Sequence, residues 1–387
     1  MQKKIIFLVL VVGVFAVSFG GAYLFFSKAV APSKTSYFPA QKTANGEAFD
    51  PNLPKTEPCP LNGALYSTQQ RDWWQKHRPL GVMIENHEDA RPQSGLSSAD
   101  IVYEAVAEGA ITRFLTVFYC NDAPYVGPVR SARTYFVDFL SEYGPAPLYA
   151  HVGGANSEGP ANALGQIEEY GWANYNDLSE FSIGCPVFCR IENRNGVTVA
   201  TEHTMYSSTS KLWDYAAKSR QLTNVDKSGK NWDMGFVPYT FKDDAPLADR
   251  PASQTIRLEF WPQYSQYAVD WTYDRVNNVY LRSNGGKAHL DRNTNKQIAA
   301  KNIVVLWMQE SNANDGYENN LHLLYGDKGT GKAVIFMDGK QTTGTWKKQD
   351  RKSHLYIYDA NGAQVKFDRG LIWFEVLPLQ EGSLTVK

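Results

Sequence analysis

Ile101-Val-Tyr-Glu-Ala-Val106 and Ile111-Thr-Arg-Phe-Leu-Thr-Val-Phe118 are two apolar runs separated by a short break containing Gly109. Both are short and rich in β-branched and aromatic residues, so both read as buried strands rather than helices. Leu80-Gly-Val-Met-Ile84 upstream and Pro147-Leu-Tyr-Ala-His-Val152 downstream have the same texture. Between them, residues 134–143 place Tyr135, Phe136, Phe139 and Leu140 at helix-face spacing, and residues 161–170 read as a second helix. Strands alternating with helices predict an α/β amino-terminal domain over residues 77–220.

Outward from this core the texture changes twice. Residues 221–253 are polar and carry Pro238, Pro246 and Pro251, which marks an interdomain linker. Residues 254–387 are strand-like throughout, with runs at 255–261, 267–273, 279–283, 303–309, 321–325, 332–337, 354–358 and 371–377. Asn284-Gly285, Asp338-Gly339 and Asn361-Gly362 are turn signals between them. A mainly β carboxy-terminal domain, sandwich or barrel, is expected. Within it, Gly326-Asp-Lys-Gly-Thr-Gly331-Lys332-Ala333 nearly matches a phosphate-binding loop. Ala333 stands where Ser or Thr would hold Mg²⁺, and a strand follows where a helix is required, so a Gly-rich hairpin is predicted.

In the other direction, Lys3 and Lys4 precede uncharged residues 5–26, long enough as a helix to cross roughly 30 Å of hydrocarbon. Residues 1–30 are therefore expected to be a transmembrane signal-anchor with the amino terminus inside. A cleaved signal peptide is the competing reading, with Ala29-Val30-Ala31 as the cleavage site, although Pro32 follows directly. Either reading puts the remainder outside the cytoplasmic membrane. Residues 31–76, rich in Pro, Ser, Thr, Lys and Asn, are expected to be a flexible spacer. Of the 387 residues, 43% are hydrophobic and 20% charged, which fits a folded chain and not a disordered one. A formal net charge of -1, with no basic run, excludes nucleic acid as a partner. Cys59, Cys120, Cys185 and Cys189 permit two disulfides in an exported chain, in any of three pairings.

The chemistry gathers in the first domain. Gly127-Pro-Val-Arg130-Ser131-Ala-Arg133 precedes a helix, with Ser131 as the expected N-cap and Arg130 and Arg133 able to grip a carboxylate or phosphate. His151-Val-Gly153-Gly154, with Ser157, reads as a tight strand-to-helix turn where a ligand approaches the backbone. No G-x-S-x-G elbow accompanies Ser157, so a serine nucleophile is not assigned. His87, His151 and His203, with Glu85 or Glu202, are dispersed and lack H-E-x-x-H spacing, so no metal and no cofactor is assigned. General acid–base work by His87 or His151 with Glu104 or Glu108 is the catalytic expectation.

The run from Arg78-Pro79 through Val82-Met-Ile-Glu-Asn-His87, Ala90-Arg-Pro-Gln-Ser-Gly-Leu96 and Ala99-Asp-Ile-Val-Tyr-Glu104 resembles the YerB-like family of bacterial envelope lipoproteins. The likeness continues through Glu108-Gly109, Thr112-Arg113, residues 127–133, His151-Val-Gly-Gly154 and Glu202-His-Thr-Met-Tyr206. Residues 285–291 and Gly344-Thr-Trp-Lys-Lys348 resemble that family's second domain. The resemblance implies an extracytoplasmic two-domain protein and no settled activity. This chain departs from it in having no cysteine near the end of the apolar stretch for lipid attachment, so the transmembrane helix takes over the tethering. Glu85 stands where the family pattern implies a small or amide residue, which speaks against giving it a role.

These readings converge on a single-pass cell-membrane protein whose partner is an anionic envelope polymer or peptide, such as a peptidoglycan stem-peptide carboxylate or a phosphate-bearing glycan. Arg91, Arg113, Arg130 and Arg133 would bind the anion, with Ser131, Gly153, Gly154, Ser157 and His203 lining the site and Trp73, Trp74 or Trp172 stacking on sugars. The alternatives are an envelope hydrolase or transferase using His87, His151, Glu104 and Glu108, and a structural or partner-docking protein.

Overall fold

Strand Ile101–Glu108 is buried along nearly its whole length, and a strand buried on both faces needs neighbours on both sides and layers above and below. A computed structural model describes residues 49–387 apart from residue 195, and it shows where those neighbours come from. The amino-terminal half supplies β1 (Leu80–Glu85), β2 (Ile101–Glu108), β3 (Ile111–Phe118), β4 (Leu148–His151) and β5 (Asp177–Ser179). The carboxy-terminal half supplies β6 (Thr255–Glu259), β7 (Val269–Asp274), β8 (Val279–Asn284), β9 (Asn302–Met308), β10 (Gly329–Met337), β11 (Lys340–Lys348), β12 (Tyr356–Asp359), β13 (Ile372–Pro378) and β14 (Ser383–Val386).

Ten of these form one mixed sheet in the order β12-β11-β10-β9-β13-β2-β3-β1-β4-β5. The two halves meet where β13 runs parallel to β2, with Ile372 opposite Ile101 and Glu375 opposite Glu104. A smaller sheet carries β8-β7-β6-β14 in sequence and lies over one face of the large one, with Trp271 of β7 edge-on to Trp373 of β13. Four helices of seven residues each, α1 (Thr68–Trp74), α2 (Thr134–Leu140), α3 (Ala163–Glu169) and α4 (Thr209–Tyr215), complete the body. Helix α2 covers the other face of the large sheet, where Phe139 stacks on Tyr103 and Tyr103 on Phe374. Gly81 permits that close approach, because a Cβ there would lie 2.7 Å from Leu140.

The fold is thus mostly β. This corrects the expected α/β class of the first half: β2 pairs antiparallel with β3, β3 with β1, and only β1, β4 and β5 run parallel. The β carboxy-terminal half is as expected, including the hairpin β10–β11 in place of a phosphate loop. The chain expected as spacer is folded well before residue 77. Ser67 and Gln70 close a capping box on α1, Trp74 is buried, and Cys59 is bonded to Cys120. The linker region also packs on the body, with Thr240–Lys242 paired to Lys366–Asp368. The apolar stretch at residues 5–26 lies outside the described residues, among which no helix is long and apolar enough to cross a membrane.

One buried charge cluster fixes the two sheets to each other. Glu104 points toward the small sheet and is fully buried. Its Oε2 accepts from Arg282 of β8 at 2.6 Å, and its Oε1 accepts from Thr112 at 2.7 Å. Glu375, its neighbour on β13, accepts from Trp271 Nε1 at 2.8 Å. Burial first, and then the Glu104 charge, push the Glu375 carboxyl well above the carboxylate range, so it sits beside Glu104 as the neutral acid. His289 and Gln93 extend the cluster behind Arg282.

Arg282→Ala is expected to cost about 3–5 kcal/mol in urea denaturation, because it strands the Glu104 charge. Glu375→Gln keeps a neutral group that accepts from Trp271 Nε1 and is expected to cost under about 1.5 kcal/mol. Opening the Cys59–Cys120 bond, which spans 61 residues, is expected to cost about 4 kcal/mol, and opening Cys185–Cys189, which spans 4, about 2 kcal/mol, measured on Cys→Ala pairs.

Candidate functional site

Strand alternation would put Glu104 and Glu108 on the same face of β2. The register shifts between Val106 and Glu108: Val106 lies opposite Thr112, whereas Glu108 lies opposite Ile111. This β-bulge turns Glu108 to the α2 face, where Arg113 also points. Glu104 remains under the small sheet, so the two carboxylates expected to work together are on opposite sides.

Glu108 bridges two guanidinium groups, Arg113 through one oxygen and Arg133 through the other. Arg113 and Arg133 are buried, whereas the Glu108 side chain is 22% exposed at the rim. Burial pushes the Glu108 carboxyl upward, but the charges of Arg113, Arg133 and Arg130 outweigh it and hold it at about 2. Arg133 is lowered to about 10, chiefly by burial and then by Arg113, and stays protonated at neutral pH. Arg130, 23% exposed, continues the row and lies 3.3 Å from Glu85 Oε1. The other oxygen of Glu85 meets His203 Nδ1 at 2.8 Å, and the hydrogen bond to Glu85 raises the His203 pKa. His87 stacks on His203 with ring centroids 4.8 Å apart.

The rim therefore runs His87, His203, Glu85, Arg130, Glu108, Arg113 and Arg133. Its backbone frame is the 128–132 segment, held on one side by Arg130 N donating to Met83 O and on the other by Val152 N donating to Arg130 O and Ala132 N donating to Gly153 O. Three guanidinium groups face two carboxylates. Arg113 Nε and Nη1, Arg130 Nε and Arg133 Nε are buried without a hydrogen-bond partner.

Several expected residues play other parts. Ser131 does not cap α2; the N-cap is Arg133, without a side-chain hydrogen bond, because the 130–132 segment is engaged in strand-like pairing up to that point. His151 is buried with both ring nitrogens occupied, by Asp177 Oδ1 at 2.6 Å and Gly153 O at 2.7 Å. Gly153 and Gly154 make room for protein: a Cβ would meet Phe181 at 2.8 Å in one case and Leu164 at 2.8 Å in the other. Ser157 lies beyond them on the same connection, partly exposed. Arg91 is engaged elsewhere, donating to Asn86 O and Asn86 Oδ1, reaching Gln266 O across to the carboxy-terminal half and lying within the field of Arg282. Trp74 and Trp172 are buried, and Trp73 packs edge-on to Trp213 and His77, so these rings belong to the core.

Sequence reasoning set Glu85 aside, yet it joins the imidazole and guanidinium ends of the rim. It missed Asp177, Arg282 and Glu375 altogether. Arg282 had a signal: with Tyr280 and Asn284 it occupies the inward alternation of β8. Asp89 also had one, two positions after His87 in a polar turn.

Residues 65–223 match the amino-terminal domain, and residues 256–374 the carboxy-terminal domain, of a family described as a protein of unknown function, DUF3048. The chain is 30% identical over 329 residues to a Bacillus subtilis (strain 168) protein bearing the lipoprotein name YerB, covering 85% of this chain and 88% of that one. It is also similar to the crystal structure of the YerB protein from Bacillus subtilis, with a TM-score of 0.67 and 26% identity over 85% of this chain and all of that one. With both domain patterns in order and a relative aligned along most of its length, the chain belongs to the DUF3048 family, the family of YerB.

Proposed function

We propose that this chain is an extracytoplasmic, membrane-tethered protein that binds an anionic component of the cell envelope at the arginine rim. The lipoprotein name of its relative supports an envelope setting, as do two disulfides, which persist on the oxidising side of a membrane. The tether is the apolar stretch at residues 5–26.

The observation that carries the binding reading is the set of unpartnered nitrogens on Arg113 and Arg133, with Arg130 beside them. A buried guanidinium nitrogen without an acceptor is costly, and a carboxylate or phosphate oxygen entering beside Glu108 relieves that cost with charge-assisted hydrogen bonds. Glu108 and Arg130 are the partly exposed members of the arginine–glutamate stretch, so they form its entrance. Glu108 also sets selectivity: it repels a bare polyanion and favours a ligand carrying a donor next to its anionic group, as in a peptide stem.

A second reading, an envelope hydrolase or transferase, draws on one observation, the Glu85–His203 pair at 2.8 Å, an imidazole oriented by a carboxylate at a partly open rim. It predicts fragments released from cell-wall material, detected by mass spectrometry.

Full-length protein is expected to retain purified cell-wall material in a pull-down, less so as salt rises. Arg130→Ala combined with Arg133→Ala should lower retention by about tenfold or more. Equal retention removes the anion site. Glu108 makes a separate prediction. Its carboxyl titrates at about 2 in the folded chain, so its contribution is complete above about 4.5 and is lost as pH falls toward 2. Glu108→Gln should therefore destabilise by up to about 3 kcal/mol at neutral pH, and the difference from wild type should vanish between about pH 4.5 and pH 2 in urea denaturation.

A further inference from the structure

We propose that His87, His203 and Asp89 bind one divalent transition-metal ion of the zinc class. One donor atom of each residue lies within 4.8 Å of the donors of the other two. A tetrahedral ion with bonds near 2.0–2.1 Å spaces its donors about 3.3 Å apart, so closure needs a movement of at most about 1.5 Å. The residues that must move are the more exposed ones: the side chains of His87 and Asp89 are 33% and 60% exposed at a one-turn 3-10 segment, and His87 Nδ1, which accepts from Asp89 N at 3.2 Å, leaves Nε2 for the ion or exchanges that bond for it.

His203 is the fixed member. It is 7% exposed, and Glu85 holds its Nδ1 at 2.8 Å. That contact places the proton on Nδ1 and leaves the Nε2 lone pair for a metal, the carboxylate–histidine arrangement that orients metal-binding imidazoles. The other histidines have different surroundings. His77 meets Tyr119 O, His151 meets Asp177 and Gly153 O, His289 meets Arg282 and Gln93, His322 meets Asp315 beneath the Tyr317 ring, and His354 faces Glu142. His87 and His203 are the two whose rings lie against each other, 10° from parallel, beside a carboxylate.

Two imidazoles and one carboxylate select a borderline ion such as Zn²⁺ or Co²⁺ over Ca²⁺ or Mg²⁺, which prefer all-oxygen sets. Three protein ligands leave a fourth position open. The metal site does not depend on an anion reaching the arginines, so the two ideas fail separately.

The test uses full-length protein stripped with EDTA, dialysed, and titrated with ZnCl₂ by calorimetry and with CoCl₂ by visible absorption. One zinc per chain and a Co²⁺ ligand-field band of the four- or five-coordinate type are expected. His87→Ala with His203→Ala should weaken zinc binding by more than about 100-fold, and Glu85→Gln by about 10- to 100-fold. Wild-type protein that takes up no zinc and gives no such band overturns the proposal, whatever the variants do. So does a double variant with wild-type melting in EDTA and undiminished affinity for zinc.

Discussion

The Glu104–Arg282 contact is the constraint from which the arrangement follows. A carboxylate and a guanidinium, both with no solvent exposure, sit between two sheets and must satisfy each other there. Arg282 lies among the rings of Phe114, Trp271 and Trp373, 5.0–5.7 Å from their centroids, so its position is set by packing as well as charge. Only one alignment of the small sheet brings Arg282 to Glu104 and Trp271 to Glu375 together. A sliding of either layer by one residue would leave these groups without partners, which makes the pair a device for register as much as for affinity.

The opposite face depends on this alignment. With β2 pinned from one side at Glu104, the bulge after Val106 turns Glu108 to the other side, within reach of Arg113 and Arg133. One strand thus carries two carboxylates with opposite duties, one sealed in the interior and one at an open rim. The rim then follows from short-range pairing: β1 ends in Glu85, opposite Arg113, and the 128–132 segment hydrogen-bonds alongside it to deliver Arg130.

Much of this was legible from residue pattern, and the limits have physical causes. Strands with strong apolar runs, such as Ile101–Glu108 and Ile372–Pro378, are plain because burial on both faces demands such runs. Lys340–Lys348 escaped because it buries little and its outward positions are Lys, Gln and Thr. Ser383–Val386 escaped because it is short and only partly buried. Pairing of β2 with β13 leaves no trace in local sequence, since either strand could sit beside many others. The bulge was equally silent, and it is why Glu104 and Glu108, both noticed, were assigned to one place. The arginines were found by residue type, while Glu85 was discounted by comparison with a family pattern, although its two oxygens link both halves of the rim.

The seating of β13 beside β2 has a consequence for how the molecule is made. A polypeptide emerges amino end first, so Ile101–Glu108 is available long before Ile372–Pro378 exists to pair with it. Throughout that interval its long apolar edge is uncovered at what will become the middle of the sheet, the type of surface that invites wrong pairing. The cysteine link from residue 59 to residue 120 needs no later segment and can close early, bracing β1, β2 and β3 while the rest is still being delivered. Completion waits on residues 383–386, because β14 is an outer strand of the small sheet and pairs with β6. Biogenesis of this chain is therefore a holding problem before it is a folding problem.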